Sequence, residues 1–164
     1  MSTLEHTVNR GGKYLTFSLA SEEYGIGILK VKEIIGMMPV TPIPQTPSFV
    51  KGVINLRGKV IPVISLRRKF GMDDIEYSER GCIIVVEIQT DSSHVLVGIM
   101  VDSVSEVTAI RQADIEDPPS FGISVDTSFL SGMAKIGNGV KSLLDIDRVM
   151  SSGEIMNLPQ SIEL

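Results

Sequence analysis

Tryptophan is absent from this 164-residue chain, and aromatic residues together make up only 5% of it. Its core therefore has to be filled by valine, isoleucine, leucine and methionine. The single cysteine, Cys82, excludes an internal disulfide and agrees with a reducing compartment. One thiol and two separated histidines, His6 and His94, offer no zinc-ligand spacing. Basic residues are outnumbered, 15 Lys and Arg against 20 Asp and Glu, for a formal net charge of -5. No basic stripe stands out, which argues against a nucleic-acid binder. Long apolar runs are missing too. The longest, Val95 to Val101, is far short of a membrane span, and Met1 to His6 lacks the charged and apolar regions of a secretory signal. A cytoplasmic protein is expected. At 43% hydrophobic and 21% charged it is a globular one.

Catalytic constellations are equally thin. Gly25-x-Gly27 is followed neither by the third glycine of a dinucleotide fingerprint nor by the Gly-Lys-Ser/Thr of a phosphate loop. His94 stands beside Ser92-Ser93 at a turn, but a pair without an orienting acid is no triad. Asp73-Asp74 and the Asp114, Glu116, Asp117 cluster lie in polar, loop-like contexts and read as solvated carboxylates. The expectation is a non-enzymatic protein with no cofactor and no metal.

What is present is β structure that repeats. Tyr14, Phe17 and Leu19, a polar turn at Ser21-Glu22-Glu23, and Tyr24 to Leu29 form a hairpin signal. Lys30 to Gly36 reads as a short segment with one helical turn. Pro39, Pro42, Pro44 and Pro47 follow, leaving only an extended or edge segment. Phe49 to Leu56, a turn at Arg57-Gly58-Lys59, and Val60 to Leu66 make a second hairpin, with Pro62 marking an edge or a bulge. The programme then recurs with Ile83 to Ile88, a turn at Asp91-Ser92-Ser93, and Val95 to Val101. An offset of 73 residues, read directly from the numbering, places Tyr24-Gly25-Ile26 on Val97-Gly98-Ile99 and Val31, Glu33, Ile34 on Val104, Glu106, Val107. An offset of 80 places Phe49 on Phe129, Gly52 on Gly132, Val60 on Val140 and Val63-Ile64 on Leu143-Leu144. The offset grows across the loop carrying Asp117-Pro118-Pro119, where insertions belong. Alternating aliphatics alone would align any two hairpin units, but the paired glycines favour an internal duplication.

A unit of this size, with about five short strands, closes most readily into a small barrel. The runs Ile83–Val86 and Val95–Val101 look buried on both faces, one serving a barrel interior and the other an interface between barrels. Short helices are expected after the last strand of each unit, at Arg67-Arg68-Lys69-Phe70 and Asp147-Arg148-Val149-Met150. The expected organisation is a domain over 13–150 built from units 13–72 and 81–150, with strand exchange between them left open. Residues 1–12 read as a loose arm and 151–164 as a tail.

Where the copies differ in chemistry, something besides folding is acting. The second copy turns on Gly137-Asn138-Gly139, a combination suited to positive backbone dihedrals, where the first has Arg57-Gly58-Lys59. Folding needs no arginine there. An exposed one on a rigid hairpin donates charge-assisted hydrogen bonds to a partner, or simply confers solubility. Leu29-Lys30-Val31-Lys32 replaces Asp102-Ser103-Val104-Ser105, so the first copy presents an aliphatic, basic surface. Glu33 matches Glu106, which leaves a structural role open for it, such as a capping acid.

The unbroken stretch from Gly52 to Arg67, Gly-Val-Ile-Asn-Leu-Arg-Gly-Lys-Val-Ile-Pro-Val-Ile-Ser-Leu-Arg, resembles the CheW family pattern. Tyr24-Gly25-Ile26 through Val31-x-Glu33-Ile34 is similar to its upstream signature, and Val97-Gly98-Ile99 through Val104 to its downstream one. The resemblance covers roughly residues 13–150. It implies an all-β fold with a few short helices: two SH3-like five-stranded β-barrels packed on a shared hydrophobic interface. It implies a non-enzymatic scaffold that couples methyl-accepting chemotaxis receptors, through their cytoplasmic tip, to the regulatory domain of the histidine kinase CheA. Carried over by position, its protein-binding residues are Val31, Glu33, Gly52 and Arg57, with Gly58 beside the last. The chain is too short to add a receiver or kinase domain, so it resembles the stand-alone adaptor, recruited to receptor arrays through its partners. An adaptor of a related non-flagellar chemosensory pathway and a small-ligand sensor with a pocket between the barrels are the alternatives.

Overall fold

The computed structural model describes residues 9–90, 93–119, 127–156 and 158. Asp91 and Ser92 of the expected second turn, residues 1–8 of the arm and most of the end of the tail lie outside the described residues. Strands β1 (Gly12–Leu19), β2 (Glu22–Gly27), β3 (Val31–Gly36), β4 (Val50–Leu56) and β5 (Lys59–Ser65) precede a short helix, α1 (Leu66–Lys69). Then come β6 (Cys82–Gln89), β7 (His94–Val101), β8 (Ser103–Ile110), β9 (Ile115–Glu116), β10 (Leu130–Ile136) and β11 (Gly139–Leu144). Helices α2 (Ile146–Val149) and α3 (Ser152–Met156) close the described chain. Ser65 and Asp145 cap α1 and α2, accepting from the N–H groups of Arg68 and Asp147.

The helical turn expected over Lys30–Gly36 is displaced. A single 3-10 turn occupies Ile28–Lys30, and Val31–Gly36 is strand. Its β-branched residues pair with β6, and its side chains alternate between half-buried and exposed.

The strands form two mixed sheets in the orders β8-β1-β2-β11-β10-β9 and β3-β6-β7-β5-β4. The second is contiguous in sequence, while the first takes β1–β2 from one end of the chain and β8–β11 from the other. Each sheet is rolled around its own small core. Ile54, Ile61, Val63, Ile83, Val85 and Met100 fill one, and Tyr14, Ile110, Ile115, Ala134 and Leu143 fill the other. The largest cluster lies between the rolled sheets and draws on both, with Leu15, Phe17, Leu19, Ile26, Ile64, Ile84, Val86, Ile99, Val101 and Leu144 among its members. Along β6 the alternation is complete, with Ile83 and Val85 facing the barrel interior and Ile84, Val86 and Ile88 facing the other barrel. These are the two small barrels and shared aliphatic interface expected from the runs of β6 and β7. One barrel carries the two-residue β9 as an additional strand.

The duplication is visible in the ladders. Val63 pairs with Gly98 in the parallel contact between β5 and β7, and Leu143 pairs with Gly25 in that between β11 and β2. A Cβ on Gly98 would lie 3.3 Å from Val63 Cγ2, and one on Gly25 would lie 3.0 Å from Leu143 Cδ2. The paired glycines thus make room for the aliphatic residue at the matching place. The Ser65 N–H donates to the Phe49 carbonyl at 2.7 Å, and the Asp145 N–H to the Phe129 carbonyl at 2.9 Å. Pro62 pairs only with Val53 of β4, because the β5–β7 ladder begins at Val63, so its missing N–H leaves that ladder intact.

Ile84 and Ile34 are direct cross-strand partners, yet Ile84 is fully buried and Ile34 is 43% exposed. Ile84→Ala is expected to cost about 2–5 kcal/mol of unfolding free energy and Ile34→Ala less than about 1 kcal/mol, both read by urea denaturation. Equal losses would contradict the position of the interface.

Candidate protein-binding site

The β4–β5 connection is a two-residue hairpin turn, Arg57–Gly58, since Leu56 pairs directly with Lys59. Both turn residues have positive φ, 54° at Arg57 and 85° at Gly58, the backbone that matches the twist of the flanking strands. The Gly58 N–H donates to Asn55 Oδ1 at 2.8 Å, which fixes the turn from within. An L-residue with a Cβ is disfavoured at positive φ, by roughly 1–2 kcal/mol, and the second copy uses Gly137 at 59° in the corresponding place. Arg57 is thus held where folding alone favours glycine.

Its side chain reaches across the barrel. Arg57 Nη1 donates to Glu33 Oε2 at 2.8 Å, and Nη2 bonds Glu33 Oε1. Glu33 lies on β3, the edge of the sheet opposite the β4 edge, so the pair spans the seam where the rolled sheet meets itself. A β-bulge between Val31 and Glu33 makes this geometry. Val31 is opposite Val86 and packs on the inter-barrel cluster, whereas Glu33 is opposite Val85, whose side chain faces the barrel interior. Glu33 is no helix cap; it is a strand residue, and its repeat counterpart Glu106 accepts instead from the Thr108 hydroxyl at 3.1 Å. The hydrogen bonds from Arg57 hold the Glu33 carboxyl below the usual glutamate value, and Glu33 in turn raises Arg57.

Glu33, Arg57 and Gly58 border one open groove of about 760 Å³. Its floor is Leu56, Ile61, Val85 and Leu96, and Lys32, Lys59, Glu87 and His94 complete its rim. Lys32 belongs to the basic surface that distinguishes the first copy, whereas Lys59, Glu87 and His94 are not among the expected site residues, although Lys59 adjoins the arginine turn. His94 is 57% exposed with Nδ1 3.7 Å from Glu87 Oε1, and Lys32 Nζ is 3.4 Å from the same oxygen. The Ser93 hydroxyl is engaged with the Thr90 hydroxyl at 3.1 Å.

The other two expected site residues stand apart from the groove. Val31 faces the opposite side of β3. Gly52 lies five residues before Arg57 along β4, roughly 16 Å away at strand spacing. Gly52 is buried beside the bulge between Val50 and Gly52, with φ of 140°. A Cβ there would come within 2.0 Å of the Thr41 carbonyl oxygen. That carbonyl accepts from Val53 at 2.9 Å, so Gly52 is where the proline-rich segment is laid against β4.

Large apolar side chains are exposed on and just after the 3-10 turn that carries the chain from one sheet to the other between β2 and β3, and elsewhere at Ile75, Val107 and Val140. Leu29 on the 3-10 turn is 88% exposed and Ile34 43%, with Val107, the repeat counterpart of Ile34, at 52%. Between the barrels a second cleft of about 550 Å³ is bordered by Phe70 stacked on Phe129 at 4.9 Å and by the Lys69–Glu154 ion pair. Among the described residues, no group of three or more His, Cys, Asp or Glu side chains is placed to hold a metal. No helix among them is long and apolar enough to cross a membrane.

A pair of exchanged-strand barrels with a charged hairpin tip and exposed aliphatic edges defines a class of small double-barrel proteins. Residues 13–154 match the description of the CheW-like domain. The chain is 41% identical over 145 residues to chemotaxis protein CheW of Klebsiella aerogenes, covering 88% of this chain and 85% of that one. It is 33% identical over 150 residues to chemotaxis protein CheW of Rhizobium meliloti, covering 92% and 94%. The solved structure of scaffolding protein TtCheW from Thermoanaerobacter tengcongensis superposes with a TM-score of 0.78 at 38% identity, covering 91% of this chain and 99% of that one. The chain belongs to the CheW family.

Two measurements check the site. Gly52→Asp should lower stability by about 3 kcal/mol or more through clash and strained backbone; a normal thermal transition would show that Thr41 can move away. Because the folded pKa of Glu33 is depressed, its pairing is complete above the unfolded glutamate value, about 4.3, and is lost as pH falls through the lower folded value. In an NMR titration, Arg57→Ala should move the Glu33 midpoint upward. An unmoved midpoint would contradict the pairing.

Proposed function

We propose that this chain is a non-enzymatic chemotaxis scaffold that couples the cytoplasmic tip of methyl-accepting receptors to the regulatory domain of the histidine kinase CheA. It acts in the cytoplasm and is recruited to receptor arrays through these partners. The observation that carries the reading is Arg57, kept at a backbone conformation suited to glycine and presented on a rigid turn beside Glu33. Membership of the CheW family and likeness to a protein described as a scaffold support it. Five positions are assigned to partner binding. Glu33 and Arg57 are polar anchors, and Gly58 and Gly52 set the backbone that presents them and the neighbouring strand. Val31 ties the aliphatic crossover surface to the core. A rigid scaffold transmits a receptor rearrangement by changing which kinase conformations are accessible. Individually weak contacts gain avidity in an array.

The test is titration of the purified chain with a receptor-tip fragment and with a kinase regulatory domain. Both should bind. Arg57→Ala should raise Kd for at least one partner roughly tenfold or more, as expected for loss of charge-assisted bonds, while leaving the thermal transition cooperative. Unchanged curves for both partners would remove Arg57 from the interface, and failure of the unmodified chain to bind either would end the proposal.

A further inference from the structure

The chain passes from one barrel to the other at two places, the 3-10 turn Ile28–Lys30 between β2 and β3 and Asp102 between β7 and β8. Each crossover is held by an ion pair to a short helix, α1 after the β4–β5 hairpin or α2 after the β10–β11 hairpin. At the second, Arg67 of α1 donates from Nε to Asp102 Oδ1 at 2.8 Å and from Nη2 to Oδ2 at 2.5 Å. The two side chains are only 11% and 18% exposed. Asp102 Oδ2 also accepts from the Ala20 N–H at 2.8 Å, and the Asp102 N–H donates to the Ser18 carbonyl at 3.0 Å. Ala20 sits in the β1–β2 turn of the other barrel, at φ of 57°. One carboxylate therefore joins the α1 end of one barrel to the hairpin of its neighbour.

The repeat sets a comparison. The two offsets place Leu29 on Asp102 and Asp147 on Arg67. At the first crossover, the Ile28–Lys30 turn, acid and base have changed sides. Lys30 Nζ, from the crossover, lies 2.9 Å from Asp147 Oδ2 of α2, and Asp147 Oδ1 accepts from the Gln89 N–H at 2.8 Å. This pair is more open to solvent, at 30% and 33% exposed.

We propose that Arg67 and Asp102 are positioning residues that set the angle between the two barrels, with Lys30 and Asp147 as a half-buried counterpart of reversed polarity. The aliphatic layer between the barrels holds them together but is non-directional. A bidentate guanidinium–carboxylate pair is directional. Burying such a pair carries a desolvation cost that an apolar pair of similar volume avoids, so orientation rather than stability is the role it fits. Burial opposes charge on Asp102, but the bonds from Arg67 and Ala20 outweigh it and hold the carboxyl below the usual aspartate value. The assignment goes beyond the proposed function and holds whichever partners the scaffold serves.

Residual dipolar couplings on the full chain test it. In the unmodified protein, amides of both sheets should fit one alignment tensor. In Arg67→Met each sheet should keep its internal couplings while the two tensors separate. Asp102→Asn, which retains an acceptor for Ala20, should show a smaller separation. Arg111→Met, which removes an exposed ion pair within one barrel, should keep a single tensor. A common tensor in folded Arg67→Met and Asp102→Asn chains overturns the assignment. Should both variants fail to fold, amide exchange in the unmodified chain decides. Strand-like protection of Ala20 and Asp102 supports the clamp, and exchange at the rate of an open loop overturns it.

Discussion

The outward face of β6 and β7 is as apolar as their inward face, and that surface must be kept from water. Ile84, Val86, Ile88, Val97, Ile99 and Val101 all lie on the outside of their own barrel. Left uncovered they would form a patch large enough to bind something else. The other barrel covers them with Leu15, Phe17, Leu19, Ile26 and Leu144, and the end of the described chain adds Ile155 and Leu158 to the same layer. Because β1–β2 and β6–β7 are the exchanged hairpins, both crossovers lie next to this layer. The barrels therefore share a core and cannot part without exposing it.

This arrangement suits a joint. Closed aliphatic barrels leave their hairpin tips and outer strands at the surface while holding them rigidly. The Arg57 turn is braced from within by Asn55 and across the seam by Glu33. Under the proposed function, few side-chain torsions are then left to order when a partner binds, which lowers the entropic cost of binding. Exposed Leu29, Ile34 and Val107 supply apolar area, and the charged groove rim supplies polarity.

Much of the architecture was legible in the sequence. Continuous β-branched runs announced burial on two faces because no half-solvated strand tolerates them. Paired glycines announced the duplication because each lies under an aliphatic side chain at the matching register. Arg57 stood out because its counterpart is glycine. Other features escaped. The segment after Lys30 is too short to display the period of two, and its pairing with β6 makes it a strand. Glu33 was ambiguous because a matching glutamate in the second copy suggested a shared structural role. Its partner is 24 residues away, at a separation that local pattern does not reach.

Local chemistry along the chain determined where strands run, where they turn and which positions are apolar, since these depend on backbone preference and spacing alone. Tertiary structure decided which hairpin joins which sheet, that Glu33 meets Arg57, and that Arg67 meets Asp102. Those outcomes depend on how two rolled sheets cover one aliphatic layer, and only the closed geometry brings such distant charges within hydrogen-bonding range.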